Sequence, residues 1–409
     1  MSGAEPAGPP LEGLRVLEIG HFVAAPFAAR LLGDLGADVI KIEPPEGDPA
    51  RQWGDQVDGR SLWWSMHGRN KRCVTLNLKH PRAQALVLAL VARCDAVIEN
   101  LRPGGLAKLG LSPEVLREAR SDLVIAHISG FGQTGPYRDR PAFGVIGEAI
   151  GGLRHLTNHP PGVSDLAPVR VGVSIGDSVS GLYAAIGLLA ALWDRDRAGG
   201  RRVGRTVDVA LTESVLSLME GLLPEYGALG KVKAPAGGRI ATAAPTNAYP
   251  TADGAWMLIA ANSESLFARL MALIGRPELT GAPDYAGNQQ RVANTVALDT
   301  LIGDWTRGHT AGQLEALLND AGVPNAKVYT AADIAADKQF IARGMVTAVE
   351  DPAHGRPILQ CGVVPHIVEA PGGVRWAGPS IGAHTEEVLG GLLGLSGEEI
   401  ATLRAERVI

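Results

Sequence analysis

The chain has 409 residues, enough for two domains. Its 46% hydrophobic and 20% charged residues exclude a disordered chain, and a net charge of −5 argues against a general polyanion binder. Three scattered cysteines, Cys73, Cys94 and Cys361, form no CxxC pair, so a disulfide framework and a structural zinc are both set aside in favour of a reduced, cytoplasmic protein.

The opening "MSGAEPAGPP" lacks a basic region and an apolar run, so it does not read as a signal peptide. "LRVLEIG" (14–20) predicts a buried strand. "APFAARLLGDLG" (25–36) predicts a helix with Phe27, Leu31, Leu32 and Leu35 on one face, and "ADVIKIE" (37–43) a second strand. This β-α-β start predicts a doubly wound parallel sheet. Further strands are expected at "DAVIEN" (95–100), "LVIAHISGFG" (123–132) and "RTVDVAL" (205–211), with helices between. Beyond about residue 225 a Gly/Ala/Pro-rich stretch leads into a smaller α+β domain. "AGVPNAKVYTAADI" begins a return segment, and "GPSIGAHTEEVLGGLLGL" reads as a helix packing back on the first domain. The apolar run from about Val179 to Trp193 is broken by Ser180, Gly181 and Tyr183, and reads as a core helix rather than a membrane span.

The turn "EIGHFVAAP" (18–26) follows the first strand, where open α/β sheets bind ligands. It is no dinucleotide fingerprint, because only Gly20 is present, although Glu43 stands where a ribose-binding acid would. "HGRNKRCVTLNLKHP" (67–81) gathers Arg69, Lys71, Arg72 and Lys79, and "ENLRPGGLAKLG" (99–110) adds Arg102 and Lys108. A solvated basic face or a phosphate site explains them equally from charge alone; their place at successive strand ends favours the phosphate ligand. None of ten histidines forms a metal-ligand pair; His21 ends a strand and His127 reads as a core residue.

"GVSIGDSVSG" (172–181) poses the sharpest question. Val171, Val173 and Ile175 alternate, predicting a short strand. Val179, Leu182, Tyr183, Ile186, Leu189, Ala190 and Trp193 then follow helical spacing. Asp177 falls at or near the N-cap, where an aspartate accepts amide hydrogen bonds. The same place favours the ionised carboxylate, a usable nucleophile toward an acyl group. Gly172, Gly176 and Gly181 leave room for a bulky substrate. Both readings stay open at this level.

Seven stretches in order make the chain resemble the CaiB/BaiF family, the class III CoA-transferases. They are "LEGLRVLEIGHFVAAPFAARLLGDLGADVIKIEPPEGD", "GRNKRCVTLNLK", "VIENLRPG", "SGFGQTGP", "GDSVSGLYAAIGLLAAL", "GRTVDVALTES" and "GPSIGAHTEEVL". The resemblance implies an α/β fold. A Rossmann-like large domain would be built from both chain ends (1–200 and 330–409), with a small domain over 225–325 and linkers at 201–224 and 326–329. The chain would be ring-shaped and form an interlocked homodimer. The resemblance further implies that Asp177 attacks an acyl-CoA thioester, passing through an aspartyl anhydride and an aspartyl-CoA thioester before a carboxylic acid acceptor takes the CoA. Coenzyme A, as acyl-CoA, would be the only cofactor, with no metal, no nucleic acid and no membrane partner. His21, Val23, Ala24, Leu76, Lys79, Asn100, Leu101, Arg102, Lys108, Phe131 and Gly132 match its CoA contacts. Gly237 and Gly238 stand where a glycine lid would lie. Pro44 and Ser129 replace basic residues of some members. Glu148 is read either as a positioner of the anhydride or as an exposed helix residue, and Arg154, Arg170 and Arg239 either as holders of a distal carboxylate or as surface residues. A related racemase would need a His and a Glu where Phe143 and Pro250 stand; a non-catalytic paralogue would not need Asp177.

Overall fold

The computed structural model describes residues 8–197, 199, 200 and 202–409. Residues 1–7, 198 and 201 lie outside the described residues, and with them most of the leading segment and the first residue of the expected 201–224 linker. The chain forms two compact units. One is built from the N-terminal stretch up to Arg154, Val171–Gly230 and Lys338–Ile409; the other from His155–Arg170 and Lys231–Asp337. The expected division differs in its boundaries. Residues 155–170 and 326–337 belong to the second unit, 225–230 belong to the first, and 202–224 carry a strand and a helix of the first rather than a linker.

The first unit is organised by six parallel strands: β1 (Arg15–Ile19), β2 (Asp38–Glu43), β3 (Lys71–Thr75), β4 (Ala96–Glu99), β5 (Val124–Ser129) and β6 (Thr206–Ala210). Their order is β3-β2-β1-β4-β5-β6. The chain therefore reverses direction across the sheet between β1 and β4, and the crevice at such a switch is where doubly wound sheets take ligands. The strands read as almost unbroken apolar runs because both faces are covered. On one face lie α1 (Ala24–Asp34) and, after α2 (Gly144–Ile150), the long helix α3 (Ile175–Asp196). On the other lie the helix Pro81–Val91 and the C-terminal helices Thr385–Leu393 and Gly397–Ala405. Val388, Leu389 and Leu403 share a core there with Leu17, Ile40 and Val97. Each such fully buried aliphatic side chain contributes about 1.5–3 kcal/mol.

Several expectations need correction. β3 went unread, because "KRCVT" looks like a basic patch, yet Lys71 is fully buried within it. No strand precedes Asp177: alternating β-branched residues make a strand only beside a partner, and β6 takes the edge position next to β5. The inward face of α1 keeps Leu32 of the expected stripe but is otherwise made of Ala24, Ala25, Ala28 and Ala29. The segment 378–395 is helical only over Thr385–Leu393; before that, His384 N donates to Cys73 O and ties the turn to β3.

The second unit has an antiparallel sheet of Asn325–Lys327, Trp256–Ala260 and Thr246–Pro250, in that order. Tyr249, Met257, Ile259, Phe267 and Leu270 form its core. The stretch taken as the start of a return segment instead supplies its third strand.

Candidate active site

The turn after β1 is fixed from below by buried charge. Lys41 Nζ donates to Glu18 Oε1 at 2.7 Å and to the Gly20 carbonyl at 2.8 Å, and lies 2.8 Å from Asp48 Oδ2. Lys71 Nζ pairs with Glu18 Oε2 at 2.7 Å and donates to Pro26 O at 2.8 Å. Burial disfavours the Lys41 ammonium, but Asp48 and Glu18 outweigh it and raise its pKa. The same lysine overcomes burial at Asp48 and holds that carboxyl below its usual value. Two backbone carbonyls of the turn are thus anchored by ammonium groups. Phe22 N donates to Asp48 Oδ1, and Phe22 sits at φ 61°, a conformation that costs a non-glycine residue about 1–2 kcal/mol.

Asn100, just past β4, closes the switch point. Its Oδ1 accepts from His21 N at 2.8 Å and its Nδ2 donates to His21 O at 2.9 Å. Below it, Glu99 pairs with His127 and accepts from Leu101 N. His127 is the buried core residue its strand suggested.

Over these turns lies a cavity of about 270 Å³. His21, Phe22, Ala24, Leu101, Arg102, Ser129, Arg140, Phe143 and Leu211 line it together with Asp177. The structure thus brings His21, Ala24, Asn100, Leu101, Arg102 and Asp177 together at one site. Burial, then Lys41, pushes the His21 pKa below the usual imidazole value. A larger cavity of about 380 Å³, walled by Arg51, Trp64 and His354, holds none of the expected site residues.

Asp177 is not the N-cap. Ser174 holds that position and Asp177 is the third residue of α3, in its first turn. There the helix dipole still favours the carboxylate. The carboxylate packs against the α carbon of Gly144, so tightly that a methyl group there would collide with it. Two of the glycines expected to clear space for substrate serve packing instead. A Cβ on Gly176 would come within 2.6 Å of Gly144 O, and one on Gly181 within 2.8 Å of Ala24 O, while Gly172 faces open space.

The other expected residues lie away from the wall of this cavity. Leu76 is fully buried in the core, so its side chain is shut off from a ligand. Val23 is buried as well. The basic cluster is structural: Arg69 forks onto Asp34 at 3.0 and 2.6 Å, Lys71 pairs with Glu18, and Arg72 forks onto Asp38 at 2.9 and 2.6 Å. Lys79 and Lys108 are exposed and stand outside the cavity wall, as do Phe131, stacked edge-on to Tyr137, and Gly132. Glu43 is held in a fork by Arg51 at 2.9 and 2.8 Å, which leaves it no ribose to bind. Glu148 is fully buried, not an exposed helix residue; Arg154 Nε donates to its Oε2 at 2.9 Å and its Oε1 has no partner among the described residues.

Gly237, Gly238, Arg170, Arg239 and Pro250 lie in the second unit. Gly237 has φ 66°, a turn conformation that suits glycine, and its N–H donates to Asn158 O; Arg239 pairs with Asp299 at 2.6 Å.

Phe22, Arg140 and Ser129 were not read as walls of this site. Phe22 stacks on Trp53 with centroids 4.8 Å apart and meets Phe143 edge-on at 6.1 Å. Arg140 lies 3.5 Å over the Tyr137 ring. The signal that would have found Phe22, a left-handed backbone beneath an aromatic side chain, is not written in residue types.

Residues 11–385 match the model of CoA-transferase family III. The chain is 46% identical over 402 residues to the succinyl-CoA–D-citramalate CoA-transferase of Chloroflexus aurantiacus, covering 98% of each. It is 39% identical over 404 residues to the beta subunit of the succinyl-CoA–L-malate CoA-transferase of the same organism, again over 98% of each. Among solved structures it resembles a CAIB/BAIF family protein from Brucella suis, with a TM-score of 0.83 and 34% identity, covering 94% of this chain and 100% of that one.

Proposed function

The chain belongs to CoA-transferase family III, and from that premise we propose that it moves coenzyme A from succinyl-CoA to a short dicarboxylic acid by way of Asp177. The donor and acceptor classes follow the names of the relatives in Chloroflexus aurantiacus, whose acceptors are D-citramalate and L-malate.

The observation that carries the reading is the place of Asp177. A carboxylate in the first turn of a 22-residue helix faces a cavity at the switch point of a parallel sheet. Its oxygen attacks the thioester carbon and CoA leaves as the thiolate, giving a mixed anhydride. The thiolate attacks the Asp177 carbonyl, releases succinate and leaves an aspartyl-CoA thioester. The acceptor carboxylate attacks that thioester in turn, and the freed thiolate takes the acceptor's acyl carbon, restoring Asp177. Both intermediates hydrolyse if water enters. The apolar wall of Phe22, Ala24, Leu101, Phe143 and Leu211 supports water exclusion.

His21, Ala24, Leu101 and Arg102 would hold the CoA arm, with Lys79 and Lys108 near its charged end. Asn100 contributes through the His21 backbone rather than by direct contact. Glu148 and Arg154 would position the acyl group, and the loop at Gly237 and Gly238 would be the lid. Phe143 carries no proton to exchange and lines the same cavity as Asp177, which speaks against racemase chemistry.

The test is intact-protein mass after mixing with succinyl-CoA, with Asp177→Ala in parallel. A CoA-sized adduct on wild type alone is the expected result, with kcat of the variant reduced by roughly 10³-fold or more. An Asp177→Ala protein that keeps its activity would remove the aspartyl mechanism.

A further inference from the structure

Ser129 ends β5 and is 6% exposed. Its Oγ is buried and has no hydrogen-bond partner among the described residues. Nearly all buried polar side-chain atoms in folded proteins are paired, and an unpaired one is destabilising. Ser129 borders the Asp177 cavity, flanked by Ile128 and Gly130. Gly130 abuts Ala142, and Gly144, two residues further along, abuts the Asp177 carboxylate, and the lining that includes Ser129 also includes Asp177. Of the other polar groups on that lining, the Asn100 amide is taken by the His21 backbone, Arg102 and Arg140 are exposed, and Nδ1 of the His21 ring is a second buried atom with no partner among the described residues. Ser129 is the buried neutral hydroxyl of the site.

We propose that Ser129 Oγ donates a hydrogen bond to the thioester carbonyl oxygen as Asp177 attacks it. The inference rests on the role given to Asp177 above. An Asp177 oxygen bonds to the thioester carbon, and the carbonyl π pair moves onto its oxygen. The Ser129 proton stays on Ser129 and faces that oxyanion. The pair then returns, the C–S bond breaks, and its electrons leave on the CoA sulfur. A donor aimed at charge that exists only in the transition state lowers the barrier without tightening ground-state binding. A neutral hydroxyl also suits a site already holding an anionic nucleophile, since it adds no cation to neutralise Asp177.

The experiment compares wild type, Ser129→Ala and Ser129→Cys in single-turnover formation of the CoA adduct from succinyl-CoA, alongside the CoA Kd and Tm. The expected result is an adduct rate lower by about 10²–10³-fold in both variants, the usual loss for one oxyanion donor. The CoA Kd should stay within about twofold and Tm should be unchanged or higher, because the hydroxyl has no protein partner to lose. Should the Ala variant fold poorly, the Cys variant carries the test, since it keeps the volume and replaces the hydroxyl by a poor donor. If wild type forms the adduct and both variants form it at the same rate, the proposal is overturned and the Asp177 mechanism stands. A loss confined to the CoA Kd makes Ser129 an anchor of the CoA arm and equally overturns it. Absence of the adduct on wild type removes the Asp177 reading and this inference with it.

Discussion

Asp177 is held where it is by what its neighbour lacks. Gly144 opens α2, and its missing side chain is the space the carboxylate occupies. Its φ lies outside the left-handed region, so the position tolerates alanine as far as the backbone is concerned, and alanine favours a helix by up to about 1 kcal/mol over glycine. Gly144→Ala should therefore fold with a Tm within a few degrees of wild type while pushing the carboxylate off its line of attack. We expect kcat to fall roughly 10- to 100-fold, as misplacement by about an ångström does elsewhere, with little change in the CoA Kd. Steady-state kinetics beside a melting curve checks this; an unchanged kcat would mean the carboxylate swings freely. Asp177 itself was legible because a lone acid between glycines opens an apolar helix. Phe22 and Lys41 were not. The turn's backbone geometry and the charges beneath it come from β1, β2 and β3 lying side by side, which no local stretch of sequence reveals.

At the scale of elements, five of the six parallel strands were legible because buried parallel strands announce themselves as short apolar runs, and β3 was not, because its basic residues mask one. Helix faces were legible only in part. Of the residues read at helical spacing on α3, Val179 is buried and Leu189 packs against the core, but Leu182, Tyr183, Ile186 and Trp193 are exposed, and Gly181, Ala184, Ala185, Leu188 and Leu192 complete the inward face. An all-apolar helix carries no periodicity to show which side is covered. What selects the face is size: alanines on α1 meet Gly181 and the alanines of α3, and the two backbones close together. A side chain at Gly181 would meet Ala24 O at 2.8 Å, the Phe27 ring at 3.0 Å and Ala28 N at 3.2 Å. Two of these atoms are backbone and cannot turn aside. Gly181→Val should cost about 1–3 kcal/mol by overpacking, read as a lower urea midpoint at unchanged slope. It should also raise KM for acyl-CoA, because Ala24 both meets Gly181 and lines the cavity. A midpoint equal to wild type would show that this contact does not set the helix spacing.

For the whole molecule, the stripe left outside on α3 is the informative part. Leu182, Tyr183 and Ile186 are exposed, and Trp193 is 72% exposed. In the same unit Leu223, Tyr226 and Leu229 of the helix Leu222–Leu229 are exposed as well. Leaving so many large apolar side chains in water is unusual for a monomer, because contiguous apolar patches mark interfaces. The α3 helix is long and apolar enough to cross a membrane by length and composition, but its inward face is committed to α1 and the sheet. A protein surface is therefore the better cover, and a second copy of this chain is the cover the family resemblance implies. Sedimentation equilibrium at assay concentrations should give twice the 42.7 kDa chain mass. Ile186→Glu together with Trp193→Glu should lower that mass, or the melting temperature if the chains are interlocked and cannot part, since two carboxylates would then be buried without partners. A monomer mass for wild type, with no change in melting temperature in the double variant, would show that the stripe faces water and that the dimer has no part in this protein.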